Sequence, residues 1–260
     1  MSVKTLPFKE WVMCLIVFAW RPGHAQPLVM AANRDEFYDR PALPLASWED
    51  APHVLAGRDL EAGGTWLGIG SAGRFAALTN IRDPRQPPHG RSRGELVAEF
   101  LRSDLPPAAY LDGLIPRAGN YSGFNLLLGD RDGVWFFNSS EGQPRMLKPG
   151  VYGLSNDTLD TPWPKLDKAK AALSEVLDTP DPEALFAILT DPQRPPDAAL
   201  PDTGIGLASE QLLSSVFIAS RTYGTRACTV LITQANGKRL LIERSFGPYG
   251  GHLGEVRLED

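Results

Sequence analysis

At 260 residues, 43% of them hydrophobic and 22% charged, the chain is long enough to bury a sizeable core within one large domain. A net charge of -5 and an isoelectric point near 5.5 argue against a general nucleic-acid or anionic-membrane surface, since such footprints are basic. Two cysteines, Cys14 and Cys228, exclude a disulfide framework, and no cysteine or histidine spacing of metal-binding type occurs. A reducing, cytoplasmic compartment is therefore expected.

The first apolar run, residues 11–20, follows Lys4 and Lys9, and Gly23-His24-Ala25 could pass for the cleavage site of a secretory signal. Glu10 abuts the run, Arg21 follows it, and the pattern continues into 27–33 as a strand pair would, so the strand reading is preferred. Ten residues are too few to cross a membrane, and no other stretch approaches that length, so no integral membrane segment is expected.

Residues 14–20 and 27–32 read as strands around a turn at Arg21-Pro22-Gly23, apolar on both faces and so covered on both sides. Residues 65–69 and 74–79 form a second hairpin. Ser92 and Glu95 have capping-box spacing, and Leu96, Val97, Phe100 and Leu101 make the stripe of the helix they open. A short helix over 107–115 follows. Strands 124–129 and 133–138 flank Asp132-Gly133, a strong hairpin signal. Short strands over 145–147 and 151–154 precede helices over 164–177 and 182–189. Residues 216–219, 226–233, 239–246 and 252–257 look like a closing antiparallel meander. This is an α+β order. Two antiparallel sheets stacked between helical layers satisfy it, and so do other α+β arrangements.

Two places could carry chemistry. If Met13 initiates translation and is removed, Cys14 holds a thiol and a free α-amine together, a nucleophile with its own base. The competing reading is a small buried residue in a strand, and the twelve residues before Met13 would block the chemistry if they persist. Asn33-Arg34-Asp35-Glu36 directly follows the second strand, where an arginine flanked by acids could steer a pKa or bind a carboxylate. Spacing alone slightly favours a solvated turn with an internal ion pair. Gly63-Gly64 and Gly68-x-Gly70 lack the strand-to-helix context of a phosphate loop.

Met13-Cys14-Leu15-Ile16-Val17-Phe18 followed by Ala32-Asn33-Arg34-Asp35-Glu36-Phe37 resembles the opening signature of the family named for its Asn-Arg-Asp-Glu motif, also called Transport and Golgi Organization 2. Gly64-Thr65-Trp66-Leu67-Gly68-Ile69, residues 73–80, Gly153-Leu154-Ser155-Asn156, residues 161–165 and Tyr223-Gly224-Thr225-Arg226 match in the family's order. The resemblance starts at Met13. Residues 1–13 are accordingly set apart as a leader outside the family, consistent with a misassigned start codon, and 14–260 as one domain.

The resemblance implies the four-layer αββα sandwich of N-terminal-nucleophile hydrolases, similar to the choloylglycine hydrolase and penicillin acylase group. It places Cys14 as nucleophile and Asn33, Arg34, Asp35 and Glu36 where that group has an arginine and an acid, in a different order. Asn80 and Asn156 could supply amide donors to an oxyanion, or be ordinary turn asparagines, and Arg221 or Arg226 could face the same cleft. Cys14, Asn33, Arg34, Asp35, Asn80 and Asn156 are expected to converge on one pocket.

Members of that family are linked to haem trafficking and lipid homeostasis. The narrowly preferred expectation is a protein that binds and traffics a small hydrophobic ligand, haem or an acyl lipid. The alternative is an amidohydrolase acting on a small amide through Cys14 with no cofactor required for catalysis. Cys14, His24, His53 and His89 are the candidate haem ligands.

Overall fold

The computed structural model describes residues 13–82 and 90–260. The chain passes through β1 (Cys14–Trp20), β2 (Leu28–Phe37), β3 (Ala42–Trp48), β4 (Ala51–Asp59), β5 (Leu67–Ile69) and β6 (Phe75–Asn80). Helices α1 (Gly94–Arg102) and α2 (Pro107–Leu114) lead to β7 (Phe124–Gly129), β8 (Val134–Asn138), β9 (Arg145–Met146) and β10 (Gly150–Leu154). Then come α3 (Pro164–Val176), α4 (Pro182–Leu189) and α5 (Leu207–Leu212), and the chain closes with β11 (Tyr223–Thr233), β12 (Arg239–Phe246) and β13 (His252–Glu259).

These strands make two antiparallel sheets, ordered β10-β1-β2-β11-β12-β13 and β3-β4-β5-β6-β7-β8-β9. Strand alternation assigns each residue to a layer. Ile16, Phe18 and Trp20 of β1 meet Phe75, Ala77, Leu127 and Phe136 between the sheets. Leu15, Val17 and Ala19 face the opposite way, onto Leu166 and Leu173 of α3 and Leu185 and Leu189 of α4. Ala76, Leu126 and Leu128 of the second sheet pack on Leu96, Phe100 and Leu111 of α1 and α2. Helix, sheet, sheet, helix is the expected four-layer αββα sandwich. Both faces of β1 are buried at all seven positions, which is why its sequence shows no polar alternation.

Several elements differ from the sequence reading. The strand read as ending at Ala32 runs on to Phe37, pairing with β1 on one side and β11 on the other. Strands β3 and β4 were not anticipated. Most of β3 is exposed and it lies at a sheet edge, where Pro44 is tolerated, so it carries little apolar signal. Residues 216–219 form no strand and contribute only an isolated bridge, Ala219 to Gly224. The capping box does not form: α1 begins at Gly94 with no side-chain cap, and Glu95 instead pairs with Arg91 at 2.6 Å. Among the described residues, no helix is long and apolar enough to cross a membrane.

Met1 to Val12 lie outside the described residues. Met13, grouped with them from sequence, is 1% exposed and integrated into the core. Its N–H donates to Tyr223 Oη at 2.8 Å, and its carbonyl accepts from Asp35 N–H at 3.0 Å.

Candidate functional site at the head of the first strand

Cys14 opens β1, and the register carries its row across the sheet: Cys14 faces Arg34, Arg34 faces Ala227, and Ala227 faces Ser245. Residues directly opposite in a sheet share a face, so all four point to the same side. All four line one cavity of about 850 Å³, together with Glu36, Asn80, Arg93 and Arg226. The cavity continues to Leu43 and Pro44 of β3 and to Leu253 and Val256 of β13.

A register shift between Thr225 and Ala227 puts an irregularity at Arg226. Without it, residues 225 and 227 would share a face. With it, Thr225 pairs with Asp35 on the helix side while Ala227 pairs with Arg34 on the cleft side. Arg226 reaches the cavity from this bulge, donating through Nη1 to the carbonyls of Phe37 (3.1 Å) and Arg40.

The nucleophile candidate is fixed through its backbone. Cys14 N–H donates to Asn156 Oδ1 at 3.2 Å, and Ser155 Oγ donates to the Cys14 carbonyl at 2.9 Å. Asn156 Nδ2 donates to the Asn80 carbonyl at 2.9 Å, so the two asparagines are coupled behind Cys14. Burial pushes the Cys14 thiol up to about 12, with nearby Asp35 adding to the rise and Arg34 opposing it. Such a thiol is protonated and needs a base to react. Burial also raises Glu36, which Arg34 (3.5 Å) and Arg40 (3.8 Å) hold in ion pairs.

Asp35 is fully buried; its Oδ1 accepts from Thr225 Oγ1 at 2.6 Å, and its Oδ2 has no hydrogen-bond partner among the described residues. Burial lifts its pKa from 3.8 to about 6, against the nearby charge of Lys165. The folded carboxyl thus holds its proton at a pH where the unfolded one has lost it. Its contribution is full below the unfolded value and disappears as pH rises through about 6. At ~1.4 kcal/mol per unit, the swing is about 3 kcal/mol. Urea unfolding of the protein and of Asp35→Asn at pH 4 and pH 7 should show a shallower fall in the variant. Parallel pH dependences would sink this account of Asp35.

Of the six residues expected to converge, Cys14, Arg34 and Asn80 reach the cavity, which Glu36 and Arg226 also line. Asn33 and Asp35 do not, because period-two alternation turns them to the helix side. Asn33 Nδ2 donates to the carbonyls of Leu189 (2.8 Å) and Val216 (2.9 Å), clamping the end of α4 to the sheet. Asn156 supports Cys14 from behind without lining the cavity. The solvated-turn reading of the Asn-Arg-Asp-Glu motif is corrected: it is strand, and three of its four residues are buried. Arg221 is exposed and away from the cavity.

Of the histidines weighed as haem ligands, His24 and His53 are exposed and line no part of it, and His89 lies outside the described residues. No group of three or more metal-type side chains occurs among the described residues. Sequence reasoning passed over Arg93 and Glu243. Arg93 lies between the two residues of the expected capping box and so reads as the first turn of a helix, and Glu243 is an acid inside an apolar strand, a signal that could have been used.

A family profile described as Transport and Golgi organisation 2 matches residues 13–248. The chain is 38% identical over 256 residues to the mouse Transport and Golgi organization 2 homolog, covering 90% of this chain and 93% of that one. The human homolog is 37% identical over the same span, and the Drosophila melanogaster protein is 31% identical over 272 residues, covering 90% and 92%. Among solved structures, a Caenorhabditis elegans N-acylethanolamine-hydrolyzing acid amidase ortholog matches 84% of this chain and 92% of its own, at 12% identity and a TM-score of 0.39.

Proposed function

The chain belongs to the Transport and Golgi organisation 2 family, and from that premise we propose that its cleft binds an amphiphilic acyl compound and that Cys14, when it is the first residue, cleaves the acyl–nitrogen bond. One observation carries this reading: a single cavity joins a polar end at Cys14, Arg34 and Asn80 to a rim of Leu43, Pro44, Leu253 and Val256. Leu43 and Leu253 are 52% and 70% exposed, an unusual investment of apolar surface at a cleft mouth.

The chemistry follows from the arrangement. A free α-amine at Cys14 has a reference pKa near ~8 and sits on the same residue as the thiol, so it takes the thiol proton as Sγ attacks the acyl carbon. The resulting oxyanion needs donors already in place, and the Asn80 amide at the cavity wall is the candidate. Collapse of the adduct breaks the carbon–nitrogen bond, the departing amine takes the proton, and a thioester remains on Sγ. Water then attacks the thioester, giving the carboxylic acid and restoring the thiol. Asp35, whose main-chain N–H donates to the Met13 carbonyl at 3.0 Å and whose Oδ2 has no partner among the described residues, stands beside the position of the α-ammonium and offers it an acceptor.

A carrier that does no chemistry is the second reading. It is favoured by the present state of the site, where Cys14 N lies in a peptide bond and its thiol is pushed to about 12 while the cleft remains open. Haem fits less well than an acyl chain. Of the candidate ligands among the described residues, Cys14 alone lines the cavity, and a protonated thiol is a poor iron ligand.

The test uses N-dodecanoylglycinamide with two forms of the protein. The full chain should bind it without turnover, and a form beginning at Cys14 should bind and hydrolyse it. Binding by both with hydrolysis by neither leaves the carrier; binding by neither removes the amphiphile reading altogether.

A further inference from the structure

Two of the arginines that line the cleft have no carboxylate within ion-pair distance among the described residues. Six arginines line it: Arg34, Arg40, Arg58, Arg91, Arg93 and Arg226. Arg34 pairs with Glu36, Arg40 with Asp59, Glu61 and Glu36, Arg58 with Asp50, and Arg91 with Glu95. Arg93 and Arg226 have no carboxylate partner among the described residues. Arg226 holds two main-chain carbonyls, and Arg93 donates through Nη1 to one, that of Gly123, at 3.1 Å. The cavity's remaining buried carboxyl, Glu243, is occupied elsewhere, accepting from Leu45 N–H at 2.8 Å beneath β3, and burial raises its pKa.

Arg93 is held at both ends. Its neighbour Gly94 receives Thr65 N–H on its carbonyl at 3.1 Å, and the approach of the two segments is so close that a Cβ on Gly64 would meet the Gly94 carbonyl carbon at 2.4 Å. The guanidinium is mostly buried, and burial lowers its pKa to about 10 against the opposing influence of Cys14 and Glu36. A pre-positioned, desolvated guanidinium with no carboxylate in direct contact loses hydration and gains little from one carbonyl. An anion arriving there would find charge-assisted donors already oriented.

We propose that Arg93, together with Arg226, recognises an anionic group, a carboxylate or a phosphate, on the amphiphilic ligand of the cleft. The ligand is then an acid with a long apolar tail rather than a neutral lipid, its charged end lying at the Cys14 end of the cavity. This rests on the amphiphile reading above and adds the charge of the head group.

The test compares N-dodecanoylglycine with its neutral partner N-dodecanoylglycinamide, and dodecyl phosphate with dodecanol, by equilibrium binding to the full chain. The acid should bind at least about tenfold more tightly than the amide, the scale of one charge-assisted contact, and the advantage should shrink as salt is raised. Arg93→Gln, checked for an unchanged melting temperature, should remove most of that preference while binding of the glycinamide persists; Arg93→Lys should retain part of it. A larger advantage for the phosphate pair than for the carboxylate pair assigns phosphate, and the reverse assigns carboxylate. Equal binding of charged and neutral partners, or a preference that survives Arg93→Gln, would overturn the assignment while leaving the amphiphile reading intact. Failure of every probe to bind would overturn both.

Discussion

Cys14→Ala, made in a form of the chain that begins at residue 14, should lower hydrolysis of a long-chain acyl amide by at least about 10³-fold, with the amide still bound. The sulfur is the atom that forms the covalent bond, so no neighbouring group can substitute for it. The structural cost is small by comparison. Cys14 is buried at a strand head, and the change removes one atom whose loss costs on the order of 1 kcal/mol. Its main-chain anchors, from Asn156 and Ser155, do not involve the side chain. The full chain supplies the control. Its Cys14 nitrogen lies in a peptide bond and cannot act as the base, so it should be as inactive as the variant while binding the ligand normally. Steady-state kinetics and intact mass of each form decide the matter. Hydrolysis that persists in the Ala variant would remove Cys14 from the mechanism, and hydrolysis by the leader-bearing chain would remove the α-amine.

How much of this was legible in the sequence depends on which force set each feature. β1 was legible because burial on both faces leaves a continuous apolar run, and β11 and β12 because each keeps a short one, Val230-Leu231-Ile232 and Leu240-Leu241-Ile242. The hairpin at Asp132-Gly133 was legible because turn chemistry is local. β3 was not, since an edge strand that is mostly exposed has no hydrophobic pattern to read. The Asn-Arg-Asp-Glu motif was misjudged for an instructive reason. Four polar residues look like a turn, yet here a pleated strand sends Arg34 and Glu36 to the cleft and Asn33 and Asp35 to the helices, each pair held by partners on its own side. Only the partners reveal this, and those of Asn33 and Asp35 lie 156 to 190 residues away in the chain. Arg226 shows the same limit. Its entry to the cavity depends on a strand irregularity against β2, which no local pattern announces.

Glu210→Ala should destabilise the protein by about 3–5 kcal/mol, the usual cost of stranding one member of a buried ion pair. Glu210 and Arg82 meet at 3.0 Å with side chains only 5% and 7% exposed. Thr203 completes the group: its hydroxyl donates to Glu210 and accepts from Arg82 at 2.8 Å, and its N–H donates to Glu210 at 2.8 Å. Burial lowers the Arg82 pKa and Glu210 opposes that shift, so without Glu210 the guanidinium keeps the desolvation and loses the compensation. The Arg82 side chain also touches Met13 Sδ at 2.7 Å and lies over the Trp163 ring, while its main-chain N–H donates to the Asn156 carbonyl at 2.8 Å. Loss of the pair should therefore loosen the asparagine that holds Cys14. Replacing both charges, Arg82→Met with Glu210→Leu, removes the stranded charge and should recover most of the loss, because apolar groups of similar volume commonly replace a buried pair at little cost. Urea unfolding of the two single variants and the double gives the coupling directly. A Glu210→Ala cost below about 1 kcal/mol, the range of exposed pairs, would mean that water reaches Arg82 and that this side of the nucleophile is open.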